Sequence, residues 1–135
     1  MEHGPRGGDE LNRPVRDGNY GWPLVAYGVN YNGRQIGAGR ASMPGLLEPV
    51  CYWDPVIAPG GMIFYDVPHA EWRGNAFIGS LNPGGLVRLE LSYGRVVGEE
   101  RLLRDVGRVR DLVQAEDGAL LVIVDSGEVL RVVPQ

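Results

Sequence analysis

Arg108 and Arg110 stand two residues apart in a run, Arg108 to Ala115, that reads as a β-strand. Side chains at i and i+2 of a strand leave the same face, which places these two Cα atoms roughly 6.5 Å apart. Two such guanidiniums repel unless something anionic lies between them. One occupant is a ligand carboxylate or phosphate, which the planar guanidinium fork grips through paired hydrogen bonds. The other is a protein carboxylate, Asp105, Asp111 or Asp117, neutralising the pair at a sheet edge.

A second group of residues lies near the start. His3-Gly4-Pro5 and the following Gly7-Gly8-Asp9-Glu10 form a glycine-rich turn. Its carbonyls suit a hard cation such as Ca²⁺, which takes backbone oxygens alongside carboxylates. There is no Asp-x-Asp-x-Asp-Gly spacing, however, and the adjacent Asp9 and Glu10 fall on opposite sides of an extended chain, so an exposed polar turn is the competing reading. Trp53, flanked by Tyr52 and Asp54, can stack on a flat cofactor, although Trp22, Trp53 and Trp72 equally suit core or sheet-edge packing. His3 is of the right type for a general base but has no orienting carboxylate at a fixed spacing. His69, beside Glu71 in a turn, reads as a surface histidine, and Cys51, in an apolar stretch, as a buried thiol.

Composition narrows what these residues can do. All 13 basic residues are arginine, so lysine Schiff-base chemistry is excluded. The formal charge is −4, with acidic and basic residues scattered, which offers no field for a nucleic-acid backbone. A single cysteine excludes an intrachain disulfide and any multi-cysteine metal site. No apolar run approaches the ~20 residues of a membrane helix, and the first ten residues hold no hydrophobic signal region.

The elements that must carry the two groups read as strands. In no window do apolar residues recur cleanly at helical spacing, and 21 glycines and 10 prolines punctuate the chain. Seven short branched or aromatic runs follow one another at Gly61 to Tyr65, Asn75 to Ser80, Leu86 to Ser92, Arg95 to Leu103, Arg108 to Ala115, Ala119 to Asp125 and Glu128 to Val133. Pro83-Gly84-Gly85, Tyr93-Gly94, Glu116-Asp117-Gly118 and Ser126-Gly127 supply hairpin turns, so successive strands are expected to be antiparallel neighbours. Val87, Leu89 and Leu91 share one face of a half-solvated strand, whereas Leu120 to Val124 is apolar on both faces and is expected deep in a stack of sheets. Four strands and then three have the count and the ~40 to 50 residue spacing of β-propeller blades. The expectation is an all-β chain: a loop-rich segment over 1–59 with one strand near Leu46 to Tyr52, then about two blades over 60–135. The last blade lacks a fourth strand, and two blades cannot close a ring, so the chain reads as the C-terminal piece of a longer propeller whose uncovered faces favour self-association.

Six stretches in order carry a resemblance. They are His-Gly-Pro-Arg-Gly-Gly-Asp-Glu-Leu-Asn at 3–12, Gly-Asn-Tyr-Gly-Trp-Pro at 18–23, Tyr-Trp-Asp-Pro-Val-Ile-Ala-Pro-Gly-Gly-Met at 52–62, Phe-Ile-Gly-Ser-Leu at 77–81, Glu-Glu-Arg-Leu-Leu at 99–103, and Arg-Val-Arg-Asp at 108–111 with Glu-Asp-Gly at 116–118. Over essentially the whole chain they resemble the C-terminal part of the soluble pyrroloquinoline quinone (PQQ)-dependent aldose sugar dehydrogenases, the glucose/sorbosone dehydrogenase family of six-bladed propellers. The resemblance implies oxidation of an aldose C1 hydroxyl to a lactone, with hydride passing to PQQ, Ca²⁺ polarising the quinone, and an artificial or physiological electron acceptor. By matching positions, the carbonyls of Gly4 and Pro5 hold calcium, Arg108 and Arg110 meet the cofactor's carboxylates and quinone side, and Trp53, or Asp54 one residue on, lies near the PQQ plane.

Three departures accompany the resemblance. Asn82 stands where relatives carry a lysine that reaches a PQQ carboxylate, and Val56 where they carry Ser or Thr. Losing one charged hydrogen bond weakens cofactor binding by about 1.5 to 3 kcal/mol. The family's catalytic histidine and its aspartate fall upstream of Met1, so no catalytic base is expected in these residues and the chain by itself is expected to be inactive. The parent family is periplasmic or secreted. The alternative reading is a propeller-derived binding or assembly module without redox chemistry.

Overall fold

A computed structural model describes residues 1–68 and 70–133, which leaves the His69 reading outside the described residues. The chain divides into two compact units, Met1–Ala58 and Pro59–Gln135. All regular structure among the described residues is β-strand.

In the first unit, β1 (Asp9–Leu11) and β2 (Cys51–Trp53) form an antiparallel pair with Glu10 opposite Tyr52. The strand expected over Leu46 to Tyr52 is thus only three residues long and begins later, because Met43 to Leu46 turns instead, Leu46 N–H donating to the Met43 carbonyl at 3.2 Å. Glu2 exchanges both backbone hydrogen bonds with Glu10 at 2.9 Å, and Arg6 does the same with Val29 at 3.1 and 2.9 Å. These reciprocal pairs satisfy the backbone of a segment too rich in glycine and proline for longer strands. Leu11, Val25, Ile36, Trp53 and Ile57 are its buried apolar residues. Tyr27 stacks on Tyr52 with ring centroids 4.0 Å apart, and its hydroxyl donates to Glu48.

The second unit holds two antiparallel meanders. The first is β3 (Pro59–Phe64), β4 (Ala76–Ser80), β5 (Leu86–Ser92) and β6 (Arg95–Leu102), and the second is β7 (Val109–Gln114), β8 (Leu120–Val124) and β9 (Val129–Val132). Each strand pairs with the next in sequence, as the turn residues predict. Tyr93 and Gly94 both have positive φ, the two-residue β5–β6 turn running at 49° and 75°. Positive φ at both central positions is the twist that matches a right-handed hairpin.

The core joins both meanders through Tyr65, Phe77, Leu86, Val109, Leu112, Leu120, Val122 and Val124. Val87 and Leu89 are buried while Glu90 on the opposite face is exposed, as the alternation in β5 predicts. β8 departs from expectation: Leu120, Val122 and Val124 face the core, but Ile123 is 43% exposed. One face of this strand is therefore covered, not two.

Candidate functional site

β7 carries Arg110, and Arg108 immediately precedes it, the strand starting one residue later than the expected Arg108. The register of β7 with β8 runs Val109 opposite Val124 and then Asp111 opposite Ile123, which makes Arg110 the extra residue of a β-bulge. A bulge bends the strand locally and re-aims the side chain at the extra position. Arg108 lies just before β7, where its carbonyl accepts the Asp125 N–H at 3.0 Å. Asp125 is thereby held opposite the pair. Arg108 Nε lies 3.2 Å from Asp125 Oδ2, Arg110 Nη2 donates to the same oxygen at 3.2 Å, and Arg110 Nε donates to Oδ1.

Both guanidiniums therefore converge on one carboxylate, and it is not among the three expected. Asp111 Oδ1 accepts the Leu112 N–H at 2.9 Å, and Asp117 pairs with Arg131 and accepts the Ala119 N–H at 3.1 Å. Asp105 makes no ion pair among the described residues, where the pair's partner is Asp125 alone. The Arg108 and Arg110 side chains remain 53% and 50% exposed. Hydrogen bonding from Arg110, reinforced by the charges of Arg110 and Arg108, holds the Asp125 carboxyl below the usual carboxylate range, and the same bond raises Arg110.

The bulge is matched across the sheets. β3 has its own irregularity between Pro59 and Met62, which leaves Gly60 and Gly61 against β7. A Cβ on Gly60 would lie 2.6 Å from the Arg110 carbonyl oxygen. Only a residue without a side chain allows this approach of the two backbones.

In the first unit, the glycine-rich turn is organised by Asp9. Its carboxylate is fully buried and accepts the N–H groups of Gly4 at 2.8 Å, Ile57 at 2.8 Å and Ala58 at 2.6 Å. The alternative of an exposed polar turn is thus corrected: a short buried strand, not solvent, surrounds Asp9 and Glu10. Gly4 and Pro5 line a cavity of about 160 Å³ with Glu2, His3, Glu10 and Trp22 among its walls. A Cβ on Gly4 would meet the Gly7 carbonyl oxygen at 2.0 Å, so this turn is closed around glycine. Asn12 Nδ2 donates to Glu2 at 3.0 Å and to Glu10 at 3.1 Å. Burial nonetheless pushes the Glu10 carboxyl up, and the charges of Glu2 and Glu48 add to it. Among the described residues no group of three or more His, Cys, Asp or Glu side chains could hold a metal ion.

Trp53 lies in β2 and is only 5% exposed, with its carbonyl accepting the Gly8 N–H at 2.8 Å. Of its neighbours, Tyr52 and Asp54 are the exposed ones. Cys51 is half-buried rather than buried. Trp22 is 57% exposed, so it is not a core residue, whereas Trp72 packs against the core as expected.

The model of the Glucose / Sorbosone dehydrogenase family matches residues 1–131. The chain belongs to that family. An aldose sugar dehydrogenase of Escherichia coli (strain K12), YliI, is 40% identical over 139 residues, covering 99% of this chain and 38% of its own. A glucose dehydrogenase crystal structure superposes with a TM-score of 0.93 at 45% identity, covering 99% of this chain and 40% of that one. The PQQ-bound aldose sugar dehydrogenase of Streptomyces coelicolor has a TM-score of 0.62 at 21% identity over 92% of this chain and 36% of its own, a likeness of fold alone. The chain thus spans about two-fifths of the length of the family members it matches. Its four- and three-stranded meanders are propeller blades, as the strand count implies.

Sequence reasoning missed Asp125 as part of the arginine site, and for Asp9, named there only as a member of the glycine-rich turn, it missed the three backbone N–H groups that the carboxylate gathers. Asp125 closes the run Ala119 to Asp125, and hairpin register with Arg108 to Ala115 was the available signal. For Asp9 there was none, since its partners Ile57 and Ala58 lie 48 and 49 residues away.

Proposed function

We propose that this chain carries the cofactor-gripping part of a PQQ-dependent aldose dehydrogenase. The observation that carries the reading is the convergence of Arg108 and Arg110 on a single carboxylate. Two half-exposed cations against one anion leave one positive charge over, which suits a carboxylate-bearing ligand. When bound, PQQ supplies the two-electron acceptor for oxidation of an aldose C1 hydroxyl to a lactone. Arg108 and Arg110 hold its carboxylates. Trp53, buried in β2, supports its neighbourhood as a wall and does not offer an open stacking face.

Calcium is assigned to the carbonyls of Gly4 and Pro5. The donor chemistry fits, because Gly4 and Pro5 line the cavity and a hard cation accepts backbone oxygens together with water. Asp9 keeps the turn in place through the Gly4 N–H. Removal of the hydroxyl proton requires a general base outside residues 1–135, and export beyond the cytoplasm is the matching location.

A second reading, a binding module without redox chemistry, is favoured by Asn82, an exposed amide where a cation is expected. One pair of measurements separates them. Absorbance titration with PQQ in the presence of Ca²⁺ gives saturable binding on the dehydrogenase reading, and Arg108→Ala abolishes it. Without PQQ uptake the dehydrogenase reading fails. Aldose-dependent reduction of a redox dye appears only when a polypeptide supplying the base is added, and turnover by these residues alone sinks the assignment of the base elsewhere.

A further inference from the structure

Arg108 and Arg110 do not reach Asp125 by strand alternation alone. The bulge adds a residue at Arg110, and the Arg108 carbonyl holds the Asp125 backbone N–H at 3.0 Å, so one short stretch of register sets three charged side chains against each other. Asp125 itself lies just past β8, in a turn closed by Gly127 N–H donating to the Val124 carbonyl at 3.0 Å. Its carboxylate takes Arg110 through Nε and Nη2 and Arg108 through Nε. A guanidinium has five N–H donors in a rigid plane, so fixing one edge orients the remainder.

We propose that Asp125 is a positioning residue of the cofactor clamp, gripping both arginines along their Nε edges so that their remaining N–H groups present together to a ligand carboxylate. This rests on the reading of Arg108 and Arg110 as the PQQ clamp. A carboxylate in a cationic site has a second physical consequence, competition with the anionic ligand, and the two consequences have opposite signs. If Asp125 orients, its removal weakens binding even though the site becomes more positive. If it competes, removal tightens binding.

The test is PQQ affinity by equilibrium dialysis, with Ca²⁺ present, for the wild-type protein and for Asp125→Asn, Asp125→Glu, Arg108→Ala and Asp117→Asn. Asp117→Asn is the charge control, because it removes an equal negative charge that pairs with Arg131 in the same sheet. Asp125→Asn is expected to weaken PQQ binding about tenfold, the size of effect that outer residues have on the groups they orient. Asp125→Glu recovers part of the loss, and Asp117→Asn stays within about twofold of wild type. Unchanged or tighter binding by Asp125→Asn overturns the role of Asp125. So does an equal loss in Asp117→Asn, which would make the effect one of the sheet. Should Asp125→Asn not fold, Asp125→Glu decides, since wild-type affinity in that variant overturns the proposal and a reduced affinity supports it. If Arg108→Ala binds PQQ as tightly as wild type, the clamp reading falls instead. Loss in Arg108→Ala with none in Asp125→Asn removes Asp125 alone.

Discussion

The carboxylate of Asp9 accepts the backbone N–H of Ala58 at 2.6 Å. Ala58 has φ of +45°, a conformation that costs an L-residue energy unless its surroundings hold it there. The same carboxylate takes the N–H groups of Gly4 and Ile57, so one side chain satisfies three donors and joins the glycine-rich turn to the end of the unit. Asp9→Asn replaces one acceptor oxygen by an N–H₂ group that faces donors. The expected loss is about 2 to 4 kcal/mol, from buried donors left unsatisfied at about 1 to 3 kcal/mol each. Urea denaturation measures it, and a loss below about 0.5 kcal/mol would show that the three bonds are not what holds the turn.

Glu10, one residue on, behaves in the opposite sense. Burial raises its folded-state pKa above the unfolded value, so the folded protein binds the proton more tightly and this group favours folding most below the ordinary carboxylate range. That contribution is lost as pH rises through the raised folded value. Glu10→Gln is neutral at every pH and keeps an acceptor for Asn12. It is expected to be more stable than wild type at pH 7 by about 0.5 kcal/mol, with the gain disappearing below about pH 4. Paired urea melts at the two pH values check the sign.

How much of this was legible beforehand differs between the two units. In the second, the strands are bounded by turns such as Tyr93-Gly94 whose φ requirements are local, and β5 alternates between a covered and an open face, so elements and pairing can be read from neighbours in sequence. In the first, Asp9–Leu11 is a strand with two acidic residues out of three, a pattern no local rule selects. It exists because partners at 51–53 and 57–58 come to it. The arginine pair was visible from i, i+2 spacing, but its partner Asp125 follows from the register of a hairpin and from the bulge at Arg110, neither of which a list of nearby aspartates contains.

Tyr65 makes a buried polar contact in the second unit. Its ring is buried against Trp72 and Phe77, and its hydroxyl donates to the Gly118 carbonyl at 2.8 Å, tying the segment after β3 to the β7–β8 turn. Tyr65→Phe keeps the ring packing and leaves that carbonyl without its donor. The expected loss is about 1 kcal/mol. Burial also raises the Tyr65 hydroxyl pKa, so the unfolded chain ionises first as pH climbs past 10 and the tyrosine's contribution declines there. The difference in stability between wild type and Tyr65→Phe should therefore narrow above pH 10, and a difference that stays constant would assign the effect to packing.

Gly60 tests whether the close approach of β3 and β7 sets the position of Arg110. A Cβ there would lie 2.6 Å from the Arg110 carbonyl oxygen and 2.8 Å from that of Val109, both backbone atoms of a strand that cannot yield separately. Gly98→Ala is the comparison, since its Cβ would meet only the Glu90 side chain, the carboxylate end at 3.1 Å, which can move aside, and the Cβ at an ordinary 3.5 Å. Gly60→Ala is expected to cost about 1 to 3 kcal/mol through overpacking, and Gly98→Ala less than about 0.5 kcal/mol. If the two backbones are held apart by the added methyl, the bulge shifts and Arg110 loses its approach to Asp125. Hydrogen–deuterium exchange would then rise over Val109 to Asp111 in Gly60→Ala and not in Gly98→Ala. Equal exchange in both variants would mean that the bulge is fixed by its pairing with β8 alone.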